Sequence, residues 1–165
     1  MSKKFVLVLV NIRSAYNVGA IARSAVAFGV DQIITTGITP HPHRPGDTRL
    51  PHIAAKANTM IAKTALGTAD KLQWQHIQQP LTAVTTLKTQ GYRLYALEQA
   101  TDSVPINKFK PQWPAALLLG PEVAGLDRTL LQAADQIVEI PLRLANQSLN
   151  VSVAAGIALF ALTRP

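Results

Sequence analysis

Cysteine is absent from this chain, and its absence removes whole classes of chemistry. Without a thiol there is no disulfide framework, no thiolate nucleophile and no cysteine-based zinc site, and the composition agrees with a reducing, cytoplasmic setting. Aromatic residues make up only 5% of the sequence, too few for a surface built of base-stacking platforms. No apolar run reaches membrane-spanning length, and Lys3 and Lys4 precede only the short apolar run 5–10, which does not make a secretion signal. Acidic side chains are scarce too, 9 against 16 Lys and Arg, which leaves a formal net charge of +7. An excess of that size attracts a polyanion, and nucleic acid is the leading partner.

Several familiar site signatures are also missing. There is no Gly-x-x-x-x-Gly-Lys-Ser/Thr phosphate loop, no Gly-x-Gly-x-x-Gly after a strand and no Gly-x-Ser-x-Gly elbow. Three histidines, His41, His43 and His52, stand close together, but interleaved prolines and the lack of a carboxylate at ligand spacing argue against a metal site. They fall in or beside the stretch 37–51, which holds four prolines with Arg44, Asp47 and Arg49 and is expected to be a surface loop. Arg44 and Arg49 there, with Arg13 after the first strand, are candidates for contacting RNA phosphate.

What remains is an alternation of strands and helices. The run 5–10 is β-branched and apolar throughout, as in a parallel strand covered on both faces. An alanine-rich helix over 18–28 follows, which Gly29 can end. Strands are expected at 31–36, 72–77, 92–97, 115–119 and 137–140, and further helices at 52–66, 81–90, 128–134 and 151–162. The segment between 97 and 114 reads as polar and broken by proline. This pattern makes one α/β domain over 1–165 with a mainly parallel sheet, and no separate RNA-binding extension is expected.

Loops 11–17, 120–125 and 141–150 each follow a buried-type strand. In a parallel sheet such loops share the carboxyl edge, where open α/β folds bind ligands. The last of them opens the helix 151–162, which is apolar almost all round and therefore needs a large cover. Its mouth carries Asn146, Gln147, Ser148 and Asn150, and either Ser148 or Asn150 can cap it.

The segments Asn17-Val-Gly-Ala-Ile-Ala-Arg23, Leu119-Gly-Pro-Glu-Val-Ala-Gly-Leu126 and Ile140-Pro-Leu-Arg-Leu-Ala-Asn-Gln-Ser-Leu-Asn-Val-Ser-Val-Ala154 resemble, in order and spacing, the three motifs of the TrmH-like (SpoU) RNA ribose 2′-O-methyltransferases of the SPOUT superfamily. The resemblance covers essentially the whole chain. It implies a deep C-terminal trefoil knot, S-adenosylmethionine as methyl donor with S-adenosylhomocysteine as product, a homodimer and an RNA substrate, tRNA before ribosomal RNA. By motif position, Asn17 and Arg23 fall at the reacting ribose, with Ser148 and Asn150 holding the third loop or the substrate. Leu119, Gly120, Glu122, Gly125, Ile140, Leu142, Ser148 and Leu149 fall on the cofactor. Arg23, also an RNA contact on this reading, is permanently protonated, so its role is to orient ribose or phosphate and to stabilise charge. The proton acceptor stays open. A non-catalytic α/β module that binds a nucleotide or RNA is the alternative reading.

Overall fold

The apolar run near the N-terminus forms strand β1, Phe5–Val10, buried at every position. In the computed structural model, which describes residues 3–144 and 147–164, β1 lies inside a seven-stranded sheet. The other strands are β2 Gln32–Thr36, β3 Gln73–Ile77, β4 Arg93–Leu97, β5 Val104–Pro105, β6 Ala115–Leu119 and β7 Gln136–Glu139. Their order is β3-β2-β1-β6-β4-β7-β5, and every pairing is parallel. The helices are α1 Ala15–Ala27, α2 Pro51–Ala65, α3 Pro80–Thr89, α4 Arg128–Ala133 and α5 Val151–Thr163.

Side chains alternate across a strand, so each central strand feeds two cores. Phe5, Leu7 and Leu9 of β1 join Leu117 and Leu119 of β6 in packing under Ile21 and Ala25 of α1, Ile61 of α2 and Ala155 and Leu159 of α5. Val6, Val8 and Val10, with Ala116 and Leu118, face Val84 and Leu87 of α3 and Leu130 of α4. Both faces are thereby covered, which is why these strands read as unbroken apolar runs.

Two helices begin one residue earlier than the sequence pattern indicates. Pro51 and Pro80 occupy the first helical positions of α2 and α3, where a missing N–H costs nothing and φ is already helical. Helix α1 also starts earlier, at Ala15, because Ser14 caps it by accepting from the Asn17 amide at 3.2 Å. The proline-broken segment contributes the short edge strand β5 and a turn of 3₁₀ helix at Ile106–Lys108. Gly19 has a packing reason: a Cβ there would collide with Ile61 O and Thr64 Oγ1 of α2, so its absence sets the close approach of α1 and α2.

Strand order decides what meets at the carboxyl edge. β6 inserts between β1 and β4, which brings the loops after β1 and β6 side by side. β7 lies beyond β4, so the end of β4 sits between the β6 and β7 loops. Helix α5 then returns to pack on α1, and the segment leaving β7 must cross that edge to reach it.

Candidate active site

At the edge where β4, β6 and β7 end is a cleft of about 270 Å³, toward the small end for a site taking a small molecule. All eight residues expected from the sequence to face a cofactor line it: Leu119, Gly120, Glu122, Gly125, Ile140, Leu142, Ser148 and Leu149. Its walls are mostly aliphatic. Its charged side chains are two carboxylates, Glu98 and Glu122, and no lysine or arginine lines it among the described residues.

Glu98 was not legible as a site residue. It follows β4, and its Oε2 accepts from the Leu126 amide at 2.9 Å while Oε1 accepts from the Gln99 amide at 3.1 Å. A side chain at Gly125, whose φ is +67°, would run into this carboxylate. Glu98 thus clamps the loop after β6. Gln99 reaches the other way, donating from Nε2 to Gln147 O at 3.4 Å, so the end of β4 ties both cleft loops together. The rule that marked the other three loops, a polar residue just after a buried parallel strand, applies to Glu98 as well.

Gly120, which lines the cleft, also has a packing role within its own loop. A Cβ on it would lie 2.8 Å from Leu126 N and 2.9 Å from Gly125 C. The missing side chain lets the loop fold back on itself, and the cleft shape follows from that.

The three loops are joined by one hydrogen-bonded chain. Asn17 Nδ2 donates to Glu122 Oε1 at 2.7 Å, and Asn17 Oδ1 accepts from Asn150 Nδ2 at 3.2 Å. Glu122 can only accept when ionised, which fixes the direction of the Asn17 amide and hence of Asn150. Asn150 Oδ1 then accepts from Ser152 N at 2.8 Å and Ser152 Oγ at 2.6 Å, so Asn150, and not Ser148, caps α5. Asn17 neither caps α1 nor lines the cleft; it bridges the loops. Asn146 lies outside the described residues.

The expected arginines go elsewhere. Arg23 is exposed on α1 and lines a separate groove with Ser24, Phe28, Lys63, Ser152 and Val153, with no hydrogen-bond or ionic partner among the described residues. Within one chain, then, Arg23 is not beside the cleft. Arg13 is exposed in the loop before α1. Arg49 is engaged internally, its guanidinium forked onto both oxygens of Asp47, whose carboxyl it holds far below the ordinary range. Arg44 Nη1 donates to Trp74 O at 3.1 Å. The stretch 37–51 is thus a surface loop, as expected, in which Arg44 and Arg49 both have partners within the fold.

A family model, the SpoU rRNA methylase family, matches residues 4–160. The chain belongs to that family. Among curated relatives, the 23S rRNA (guanosine-2′-O-)-methyltransferase of Xanthomonas axonopodis pv. citri is 30% identical over 162 residues, covering 98% of this chain and 59% of that protein. The chain thus spans well under two thirds of that relative's length. Among solved structures, the SpoU methyltransferase AviRb of Streptomyces viridochromogenes superposes with a TM-score of 0.81 at 22% identity, covering 98% of this chain and 59% of the other. A structure of AviRb with its cofactor AdoMet gives 0.78 at 23% identity over 98% and 57%. A structure concerned with 2-OH methylation of C/U34 on tRNA gives 0.70 at 22% identity and is matched over 93% of its own length and 96% of this one. In this SpoU-family chain the second and third motif segments line the cleft, and the first is tied to them through Asn17.

Proposed function

We propose that the protein is an S-adenosylmethionine-dependent RNA methyltransferase acting on a ribose 2′-hydroxyl. The observation that carries this reading is the charge of the cleft: two carboxylates and, among the described residues, no cation, within aliphatic walls. A nucleoside triphosphate would be repelled there, whereas a ligand with a sulfonium and an amino group is matched. Glu98 and Glu122 face those charges, and Leu119, Ile140, Leu142 and Leu149 provide the apolar sides for an adenine. When bound, S-adenosylmethionine supplies a methyl group attached to a positively charged sulfur, open to attack by an oxygen nucleophile.

The chain's own part is alignment. The Glu122–Asn17–Asn150 bridge locks the loops that would position the ribose, and pre-set geometry of this kind is a major source of rate. Arg23 adds charge stabilisation at the developing alkoxide only from outside its own cleft. On this reading it comes from a second copy. Val153, Ile157 and Phe160, spaced as one stripe of α5, are exposed at 50%, 39% and 59%, and Val153 borders the Arg23 groove. An apolar stripe beside an unpartnered arginine supports a symmetric dimer in which each protomer completes the other's site. A knotted C-terminus accords with the strand order, since the segment after β7 crosses the edge before α5 reaches α1. The cysteine-free composition supports a cytoplasmic setting. Among the described residues, no helix is long and apolar enough to cross a membrane.

The sequence relatives favour ribosomal RNA as substrate over the tRNA that the motif resemblance put first. The structure matched over nearly its full length keeps tRNA as the second reading. Unmodified 23S rRNA and tRNA transcripts, each incubated with methyl-labelled cofactor, test the assignment. Label in either RNA supports it. Cofactor binding without label in either one supports the non-catalytic alternative.

A further inference from the structure

At the other end of the carboxyl edge, beyond β2 and β3, lies a second cleft of about 530 Å³ that the methyl-transfer site does not use. Two imidazoles stack in it, His41 of the β2–α2 loop and His76 of β3, with ring centroids 4.5 Å apart and planes 30° from parallel. Arg44, Arg49, Gln78 and Ile53 complete the lining that matters here.

A hydrogen bond fixes the tautomer of His41. Its Nδ1 lies 3.1 Å from Pro42 O, and a carbonyl only accepts, so Nδ1 carries the proton and Nε2 is a lone-pair acceptor. His76 Nδ1 lies 3.0 Å from the Thr35 hydroxyl, and Gln78 is its other polar neighbour. His41 is only 6% exposed, yet its Nε2 has no protein donor among the described residues. Burial holds both rings below the usual histidine range, that of His41 down to about 4, and both are neutral at pH 7.

The His41 acceptor and the Arg44 guanidinium, of which only Nη1 is bonded within the fold, therefore face one space, while the Arg49 fork is taken by Asp47. A backbone phosphate offers only acceptors and would set its oxygens against the His41 lone pair and the Asp47 carboxylate. An apolar ligand would leave the polar atoms unpaired. The edge of a nucleobase carries donors and acceptors together, and bases of unpaired RNA are typically bound by stacking on rings or guanidinium planes with hydrogen bonds to their edges. We propose that this cleft receives an unpaired nucleobase of the RNA substrate, flanking the nucleotide to be methylated. The two sites are within reach of one strand a few nucleotides long: from two spacings (β2 to β6) to four (β3 to β4) separate them along the sheet, on the order of 10–20 Å at ordinary strand spacing. The loops between them are also joined, with Ile12 N donating to Thr39 Oγ1 at 3.0 Å and Ile38 N to Asn11 Oδ1 at 3.3 Å.

The inference rests on the RNA-modifying reading above, and the test separates the two. The chain has four histidines, so its imidazole carbon–proton spectrum is simple enough to follow at neutral pH while the four nucleoside monophosphates, inorganic phosphate or S-adenosylmethionine are added to the full chain. The same protein is photocross-linked to short random-sequence RNA containing 4-thiouridine, and the adducts are mapped by mass spectrometry. The expected result is movement of the His41 and His76 signals with at least one nucleotide and not with phosphate, and cross-links in 38–49 or 73–78. Equal movement with phosphate would make the cleft an anion site and overturn the proposal. Unmoved His41 and His76 signals with cross-links mapped only elsewhere would overturn it too. Loss of S-adenosylmethionine binding in the same titrations would instead defeat the reading of the first cleft. His41→Phe, which keeps the ring and removes Nε2, is expected to weaken the cross-link at least several-fold and leave S-adenosylmethionine binding unchanged.

Discussion

Asn17 donates from Nδ2 to Glu122 Oε1 at 2.7 Å across 105 residues of sequence, and through its other amide atom it holds Asn150. One amide in the first turn of α1 thus ties together the ends of three segments that the parallel sheet brings to one edge. Asn17→Ala is expected to lower stability by only roughly 1 kcal/mol, since the bridge is partly exposed, and to lower turnover far more. Urea midpoints and single-turnover rates on the same preparations check this. Equal, small effects on both would reduce the bridge to ordinary loop support.

Gly120→Ala places a Cβ against the Gly125–Leu126 backbone and should cost roughly 1–3 kcal/mol, together with the cleft shape and cofactor affinity. Gly156→Ala is the control. Its Cβ would meet only Ser24 Oγ at 3.8 Å, and the gain in helix propensity is up to about 1 kcal/mol. Calorimetric titration and thermal unfolding of both variants separate loop crowding from a general intolerance of glycine replacement.

These two cases also mark what was legible in the sequence. The buried runs of β1 and β6, the alternation of elements and the three motif loops were legible because burial on both faces leaves an unbroken apolar signature. The strand order was not legible, because nothing local in β4 or β6 states which strand lies beside which. What Glu98 would meet was hidden for that reason, although its place just after a strand was visible: it enters the cleft because β4 ends between β6 and β7. The loop 37–51 was legible as a surface loop from its prolines, but the internal contacts of that loop were not: Asp47 pairs with Arg49, and His41 is buried.

Stability should fall on acidification through the titration of His41. Its folded pKa of about 4 lies below the ordinary histidine value of 6.5, so between those values the unfolded chain binds the proton more readily. The contribution is fully present above about pH 6.5 and is lost as the pH falls toward 4, on the order of 2–3 kcal/mol. His41→Gln is expected to flatten the dependence of the urea midpoint on pH across that window. An unchanged slope would assign the acid sensitivity to other groups.

Phe160→Glu sets a charge in the exposed stripe of α5, at the edge of Phe28. Sedimentation at micromolar concentration should show a dimer for the native chain and a monomer for the variant, with S-adenosylmethionine affinity kept and turnover lost. A native monomer with full activity would contradict both the dimer and the placement of Arg23 in a partner's site.

The central claim is methyl transfer to ribose, and locating the methyl group tests it most directly. RNA labelled by the native chain and by Arg23→Ala, digested to nucleosides and analysed by mass spectrometry, should show the label on the 2′-oxygen. Turnover should fall by a factor of a hundred or more, about 3 kcal/mol, in the variant at unchanged cofactor affinity. Label on a base, or undiminished turnover without the Arg23 guanidinium, would contradict the account.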